Sequence, residues 1–244
     1  MIAGAAHSFL DRASVALSQL FTHQAEAFGT SAAAMTEAVQ KGHLIYLFGT
    51  GHSHILAEEG LYRAGGLACV VPILDPLLML HLGAVASSQR ERQTNVAQRI
   101  MSRYPIGVGD VLVIFSNSGV NTVPLEAARY GRSAGACVIA VTSEAYSRQA
   151  AGGGERLSTL AEITIDNGTP PGDACFQAVL GAPAVGPLST IMGAAILNAL
   201  LAETVLRLSL LGIEAPIFVS ANIPGAAKRN ATLVEYYSAR NPHL

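Results

Sequence analysis

The fold is best predicted from one stretch of the chain, Val111-Leu112-Val113-Ile114-Phe115-Ser116-Asn117-Ser118-Gly119. An apolar run leads directly into Ser-Asn-Ser-Gly, which predicts a buried parallel strand that ends in a hydroxyl-rich turn. Residues 124–132 follow with a helical pattern. In such a strand–turn–helix unit, backbone N–H groups and the positive end of the helix dipole face the space above the strand. The stretch therefore predicts an anion site, and its uncharged hydroxyls suit the phosphate group of a small metabolite.

A second unit of the same kind lies upstream. The apolar run 44–48 predicts a buried strand that ends in Gly49-Thr50-Gly51-His52-Ser53, and a helix follows from about Ile55. Two such turns on adjacent parallel strands can converge on one ligand at the carboxyl edge of a sheet. Each turn alone is a weak signal, but together they indicate one phosphate site. A dinucleotide-binding domain is disfavoured, because His54 stands where its third glycine is needed.

Length and composition limit the class of protein. The 244 residues are enough for one large α/β domain with a full core. Charged residues make up only 13% of the chain and hydrophobic residues 50%, so much of the surface is uncharged or covered by a partner. This composition favours a homo-oligomer. The net charge of −2 argues against a nucleic-acid or anionic membrane partner.

The cysteines and the N-terminus indicate a cytoplasmic protein. Cys69, Cys137 and Cys175 lie far apart and show no metal-ligand spacing. Cys69 and Cys137 fall in predicted strands, where buried free thiols of a reducing compartment are expected. The first seven residues lack the basic region and apolar core of a signal peptide.

The most apolar stretch of the chain, 191–213, is not predicted to span a membrane. It contains Asn198, Glu203 and Arg207, and three polar groups are costly in a bilayer. Its apolar residues surround the helix rather than forming one stripe, which predicts a helix that is buried or lies at an interface between subunits.

Strands and helices alternate along the chain, which is typical of a doubly wound α/β fold with a mostly parallel sheet. Nothing resembles an interdomain linker, so a helical region at 1–40 and a single globular unit at 41–244 are expected. Residues 167–187 hold prolines and glycines without periodicity, and long loops of this kind are often functional. Strands are predicted near residues 44–48, 69–73, 111–115, 137–142 and 162–166. Helices are predicted near residues 5–40, 54–64, 92–103, 122–134, 155–160 and 188–211.

The two turns and the long helix after Gly186-Pro187-Leu188-Ser189-Thr190 together resemble the sugar isomerase (SIS) domain family over about residues 35–220. Within that family the chain is most similar to small stand-alone members described as phosphosugar or phosphoheptose isomerases. The resemblance implies a three-layer, doubly wound fold with a five-stranded parallel sheet in flavodoxin-like order. It also implies a phosphorylated sugar as ligand, no cofactor, and a homodimer or homotetramer whose active sites are often built from two subunits.

The residues and the resemblance together predict which groups hold the phosphate. Where the family usually has Ser or Thr, two residues after the glycine of the second turn, this chain has Asn121, which can still donate through its amide. True phosphoheptose isomerases carry a histidine in the late helix, where this chain offers only Asn198, and this puts heptose activity in doubt. The predicted phosphate ligands are Gly49, Thr50, Gly51, Ser53, Ser116, Asn117, Ser118, Asn121, Thr122, Ser189 and Thr190.

Aldose–ketose isomerisation needs a base that moves a proton between two carbons and an acid that moves one between two oxygens. Glu58 and Glu59 lie in the helix after the first turn. Adjacent helical residues point about 100° apart, so at most one of them faces the ligand. Glu59, six residues after Ser53, is the preferred base, and the alternative for either residue is a solvated helix face.

Glu91 is a second candidate base, because the region after the second strand supplies a catalytic acid in several members of the family. Its neighbours Arg90 and Arg92 would keep it ionised, but they equally suggest a surface salt bridge. His52 and His54 are the candidate acids, since a histidine beside a phosphate can bind the anion or relay protons. A structural role for His54 is the alternative.

The remaining candidates have simple structural alternatives. Ser189 and Thr190 can cap the late helix as well as bind an anion. Asp173 and Asn222 lie in predicted loops and can bind sugar hydroxyls, although Asp173 can instead fix its own turn. No metal site is expected, because His52, His54, Glu58 and Glu59 do not match a recognised ligand pattern.

The leading hypothesis is therefore an isomerase of a phosphorylated sugar that acts through an enediol. A lyase or deaminase on the same scaffold is a neighbouring enzymatic alternative. A sugar-phosphate sensor or regulatory protein is the alternative from another class, since it needs the serines and amides but no positioned carboxylate or histidine.

Overall fold

A computed structural model describes residues 4–244 as a five-stranded parallel sheet with helices on both faces. The first three residues of the N-terminus discussed above lie outside this range. The sheet order is β2-β1-β3-β4-β5, which is the predicted flavodoxin-like order. Its strands are β1 (Ile45–Gly49), β2 (Val70–Pro72), β3 (Val111–Phe115), β4 (Cys137–Thr142) and β5 (Ile163–Asp166).

The helices are numbered in chain order. The long ones are α1 (Gly4–Gln40), α5 (Thr122–Ser133), α8 (Ser189–Leu210) and α9 (Ala226–Tyr237). The short ones are α2 (His54–Glu59), α3 (Ala84–Arg90), α4 (Val96–Met101), α6 (Glu144–Ala151) and α7 (Leu157–Leu160). Single 3₁₀ turns lie at Gly51–Ser53, Pro76–Leu78 and Leu80–Leu82.

The central strands are buried on both faces, as their unbroken apolar runs predict. All residues of β1 and β3 are buried. One face of the sheet is covered by α1, α2 and α8, which contact one another or β1, and the other by α5 with α4 and α7. The predicted helical region at residues 5–40 is one continuous helix, which packs along α8 and reaches β5.

The connectivity opens a crevice between β1 and β3. The chain leaves β1 towards β2 on one side and leaves β3 towards β4 on the other, while β1 and β3 pair with each other. At such a switch point the two connections diverge, so a cleft forms outside the carboxyl ends of the strands. The two turns predicted to bind phosphate flank this cleft.

Helix α8 is long and apolar enough to cross a bilayer by length and composition, but 44% of its most apolar window is buried inside the protein. Ile196 and Leu200 are fully buried in the core. Leu206 and Leu210 are exposed, which agrees with the absence of a single apolar stripe.

Several elements differ from the sequence-based expectations. Residues 174–187 form a small antiparallel hairpin of β6 (Ala174–Phe176) and β7 (Val185–Pro187), where a long loop was expected. Its strands have three residues each, too short for an alternating pattern to be visible. Helices α3, α6 and α9 were not predicted, because they are short or polar and lack a wide apolar stripe.

The three cysteines are free. Cys69 is fully buried just before β2, and burial raises the pKa of its thiol to about 12. Cys137 begins β4, where burial raises its pKa to about 11. Thiols with such pKa values stay protonated at neutral pH and are poor nucleophiles.

Candidate functional site

The first turn leaves β1 through a tight bend that needs glycine. A side chain at Gly49 would collide with the backbone carbonyl of Ser53, which folds back over the end of the strand. Gly51 has a φ of 57°, in the left-handed region that glycine adopts without strain. The turn Gly51–Ser53 then runs directly into α2. The glycines therefore allow the backbone to approach a ligand closely at this edge of the sheet.

The second turn presents unpaired donors. The backbone N–H groups of residues 118–121 have no acceptor within residues 4–244, and neither hydroxyl of Ser116 or Ser118 has a partner there. Helix α5 begins at Thr122, so its positive dipole end adds to these donors. Gly119 has a φ of 62° and packs against Thr142. The arrangement can hold a tetrahedral anion without a charged side chain.

Asn117 connects the second turn to the rest of the protein. Its side-chain oxygen accepts hydrogen bonds from Asn167 Nδ2 and Thr169 Oγ1, both at 2.8 Å. Its backbone carbonyl accepts from the N–H of Ser143 at 3.0 Å. Asn167 and Thr169 follow β5, and Ser143 follows β4, so Asn117 ties the second turn to the ends of the two next strands. These contacts give Asn117 a positioning role, and its predicted contact with the phosphate stays a prediction.

Glu91 joins the two turns across the cleft. Its carboxylate accepts from Thr50 Oγ1 at 2.7 Å and from Asn121 Nδ2 at 3.0 Å, and it pairs with Arg92 at 3.0 Å. Its backbone carbonyl also accepts from the N–H of Val123 in the first turn of α5. The side chain is only 14% exposed. Glu91 therefore connects the first and second turns, and both of its side-chain oxygens already accept hydrogen bonds.

The two histidines of the first turn have different surroundings. His54 is buried, its Nε2 accepts from the N–H of Asp75 at 3.4 Å, and its Nδ1 lies 3.0 Å from Glu58 Oε1. Because Nε2 is an acceptor, Nδ1 carries the proton and donates to Glu58. Burial lowers the pKa of His54, against the opposing effect of Glu58. His52 is exposed and has no hydrogen-bond partner in the described range 4–244.

Glu59 lies on the face of α2 that meets α8. Its carboxylate pairs with Arg63 and accepts from Asn198 Nδ2 at 3.3 Å. The side chain is 32% exposed, more than that of Glu91. At a rise of 1.5 Å per residue, Glu59 lies about 9 Å along the helix axis from Ser53. The residue on α8 that meets this carboxylate is thus an amide and not a histidine.

Comparison with known proteins identifies the family. A family model described as SIS domain matches residues 8–143, more than half of the chain. The chain belongs to the SIS domain family. Relatives within the family include the UPF0309 protein of Brucella canis, 52% identical over 207 residues and 85% of each chain. Another is the UPF0309 protein of Brucella anthropi, 49% identical over 220 residues and 90% of each chain.

Solved structures share the fold of this SIS domain protein at low sequence identity. A phosphoheptose isomerase from Neisseria gonorrhoeae superposes with a TM-score of 0.55 and 16% identity, over 86% of this chain and 100% of its own. A phosphoheptose isomerase from Francisella tularensis gives a TM-score of 0.52 and 17% identity, over 81% and 95% of the two chains. These likenesses confirm the fold predicted from the sequence.

In this SIS domain protein the start of α8 is already occupied by a carboxylate of the chain. Asp173 Oδ1 accepts from the N–H groups of Leu188 and Ser189 at 3.1 and 2.8 Å, and Asp173 Oδ2 accepts from Ser189 Oγ at 2.6 Å. Ser189 was predicted to bind phosphate, but its donors are used here. Thr190 has no such bond within the described chain. Asp173 thus caps α8, whereas the structural alternative considered for it was that it fixes its own turn.

Asn222 lies away from the two turns. It is exposed in the loop that follows the bridge between Leu67 and Ile217. Leu67 precedes β2, so this loop begins at the amino end of the sheet, opposite to the cleft. Its N–H contacts Ser220 of the same loop at 3.4 Å. The structure therefore does not bring Asn222 together with the other predicted site residues.

Residues that the sequence-based argument missed are those that connect the turns. Asn167 is polar and directly follows a strand, the same signal that singled out Ser116, so it was recognisable. Thr169 carried no comparable signal. A cavity of about 590 Å³ is lined by Asn167 together with residues of α1, β6 and the segment before α8. No cluster of three or more histidine, cysteine or acidic residues suited to a metal occurs in residues 4–244.

Proposed function

We propose that this protein binds a phosphorylated sugar at the cleft between β1 and β3 and interconverts its aldose and ketose forms. The observation that carries the proposal is the second turn, where the N–H groups of residues 118–121 and the hydroxyls of Ser116 and Ser118 are all unpaired at the start of α5. Donors without acceptors at a helix N-terminus favour a phosphate group. The sugar then extends over the first turn towards α2.

Phosphorylated sugars are expected to bind, and the unphosphorylated sugars are not. Hydrogen bonds to a charged group contribute about 1.5–3 kcal/mol each, so the phosphate supplies most of the affinity. The change Ser118→Ala removes one such donor and should weaken binding about tenfold or more. Isothermal titration calorimetry on a set of phosphosugars, preselected by thermal shift, measures both effects.

Ser133→Ala is the matched control for this prediction. Ser133 lies at the far end of α5, where its hydroxyl donates to the carbonyl of Tyr130 at 2.8 Å. This variant should bind the phosphosugar as the wild type does. Equal affinity for a sugar and for its phosphate would contradict the proposal.

The isomerisation is assigned to Glu59 and His52. The Glu59 carboxylate takes the proton from C2 of the aldose and returns it to C1 of the enediol intermediate, while His52 moves a proton from O2 to O1. The product is the ketose, and no atom is gained or lost. Glu59 is favoured over Glu91 because Thr50, Asn121 and Arg92 already occupy the oxygens of Glu91. Hydrogen bonds to a carboxylate favour its charged form and weaken it as a base.

His54 is assigned a structural role in this scheme. Its ring spans Glu58 and the backbone of Asp75, and both nitrogens are engaged. It thereby holds α2 against the segment that follows β2. His52, which is exposed beside the turn, is free to reach a ligand.

One observation favours a second candidate, a sugar-phosphate sensor that does no chemistry. The partner of Glu59 on α8 is Asn198, whose amide cannot accept and release a proton at neutral pH. A sensor would keep the phosphate turns and need no relay at this position. Deuterium exchange between solvent and the bound sugar distinguishes the two candidates, because only the isomerase labels C1 or C2.

A homodimer or homotetramer is expected, with α1 and α8 at the interface. Leu10, Leu17 and Phe21 are exposed along one side of α1, and Leu206 and Leu210 are exposed on α8. Apolar patches of this kind on a chain with few charges are typical of interfaces. Light scattering at micromolar concentration should give a mass of two or four chains, and a monomeric mass would contradict the prediction.

A further inference from the structure

We infer that the site accepts a phosphomonoester whose other groups carry no negative charge, and that the Asp173 carboxylate enforces this selection. The inference rests on the proposed function, since it concerns the part of the same ligand that lies beyond the phosphate. Bisphosphates and sugar acids would then be excluded from the site, although its two turns favour the binding of anions.

The first step is that the start of α8, normally a place where an anion binds, is filled. The N–H groups of Leu188 and Ser189 and the hydroxyl of Ser189 all donate to Asp173. Asp173 adopts a φ of 70°, and the turn 170–174 holds it there through the bond from its N–H to the carbonyl of Pro170 at 2.8 Å. No cation lies within ion-pair distance of its carboxylate in the described chain. A second anion would therefore find its donors taken and a negative charge in their place.

The second step is that Asp173 lies at the cleft. Thr169 and Asn167 are hydrogen-bonded to Asn117 of the phosphate turn. Helix α8 runs parallel to α2, since Gly193 packs on Leu56 and Asn198 is bonded to Glu59, so the start of α8 lies beside the start of α2. Helix α8, which Asp173 caps, also contacts the first turn Gly51–Ser53. The far end of a sugar held by its phosphate at Ser118 thus points towards the region where Asp173 stands.

The third step concerns the other charges around the cleft. Glu91 is paired with Arg92, and Glu59 is paired with Arg63, so these two arginines have carboxylate partners. Glu58 faces the neutral ring of His54. Arg90, at the end of α3, has no carboxylate partner in the described part of the chain and is the one cation beside Glu91 that could compensate a second anion.

The selection follows from these charges. One anion has free donors at the second turn, whereas a further phosphate or carboxylate would meet the half-buried Asp173, which no cationic side chain of residues 4–244 pairs, and like charges repel. Hydroxyl groups of the sugar carry no charge and can donate hydrogen bonds to the Asp173 carboxylate. An ammonium group is also compatible with this end of the site.

Matched pairs of ligands test the inference by calorimetry. Fructose 6-phosphate is compared with fructose 1,6-bisphosphate, and glucose 6-phosphate with 6-phosphogluconate, with glucosamine 6-phosphate as the cationic counterpart. We expect the dissociation constant of the bisphosphate and of the acid to be at least about tenfold higher than that of the matched monophosphate. Glucosamine 6-phosphate should bind at least as tightly as glucose 6-phosphate.

Asp173→Asn removes the negative charge of this side chain but keeps its role as the cap of α8. Asparagine is a good helix cap, tolerates a positive φ, and keeps the oxygen that accepts from Leu188 and Ser189. In this variant the dissociation constants of the bisphosphate and the acid should come within about threefold of those of the matched monophosphates. A ratio unchanged from the wild type would show that Asp173 does not select the ligand.

The outcomes separate this inference from the proposed function. If none of the monophosphates binds, the proposed function itself is refuted. If they bind but the bisphosphate or the acid binds equally well or better, the selection is overturned, and Arg90 becomes the candidate second anion contact. The wild-type comparison decides this without any variant, so a folding defect of Asp173→Asn does not affect the conclusion.

Discussion

Replacement of Glu59 by glutamine is expected to lower turnover of the sugar phosphate at least about a hundredfold. General base catalysis contributes roughly 10²–10⁴ to a rate, and the amide cannot accept the C2 proton. Ligand affinity should change little, because the phosphate contacts are made at the second turn. Initial rates and calorimetry on the same preparation separate the two effects, and solvent deuterium should no longer appear at C1 or C2 of the recovered sugar.

Glu58→Gln is the matched control for this variant. Glu58 is the neighbouring carboxylate on α2, but it faces His54 and is 47% exposed. This variant should retain turnover within a few-fold of the wild type. If Glu59→Gln and wild type turn over equally, Glu59 is not the base. If the wild type binds phosphosugars tightly but exchanges no deuterium with any of them, the sensor is the correct function.

The fold was predictable because the strands of this sheet are buried on both faces. The runs at 44–48 and 111–115 have no polar residue to interrupt them, and each ends in a turn rich in glycine or serine. Parallel strands of this kind leave an unambiguous pattern. Helices α6 and α9 left none, because α6 buries only Ser147 and α9 only Ala226, Asn230 and Tyr237, so neither carries a wide apolar stripe.

The site was predictable only where its residues are local to a turn. Ser116, Ser118 and Gly51 lie within three residues of a strand end, and they were singled out for that reason. The pairing of Glu91 with Thr50 spans 41 residues, and that of Asp173 with Ser189 spans 16. Contacts at such separations depend on how the elements pack, so the sequence suggested the residue types without the partners.

The partners also change how a residue type is interpreted. Glu91 is a carboxylate at a position suited to a base, but its contacts hold the first and second turns together. Asp173 was a candidate to bind sugar hydroxyls, but its carboxylate caps the N-terminus of α8, a place suited to an anion. In both cases three donors bind the carboxylate and fix its position, so it stabilises the loops around it. Glu59, the proposed base, has two donors, Arg63 and Asn198, and its side chain is more exposed than that of Glu91.

The rigidity of the first turn depends on a single glycine, and its replacement should have a large effect on stability. Gly49 ends β1, and a side chain there would collide with the backbone of Ser53, which cannot rotate away as a flexible side chain would. Gly49→Ala must therefore move either the strand end or the turn Gly51–Ser53. Overpacking of this kind costs about 1–3 kcal/mol and occasionally more, and the upper end is expected because the obstructing atoms are backbone.

The free energy of unfolding of Gly49→Ala, measured by urea denaturation, should thus fall by about 3 kcal/mol, a large part of the 5–15 kcal/mol typical of a domain. Gly107→Ala is the control, because no atom lies within 4 Å of a side chain at Gly107. That change should be neutral or stabilise by up to about 1 kcal/mol through the unfolded chain. Phosphosugar affinity should fall in Gly49→Ala and stay unchanged in Gly107→Ala, since Gly49 ends β1 at the cleft whereas Gly107 precedes the amino end of β3. A Gly49→Ala protein with wild-type stability and affinity would mean that the turn can adopt a second conformation, and that its tight geometry is not needed for binding.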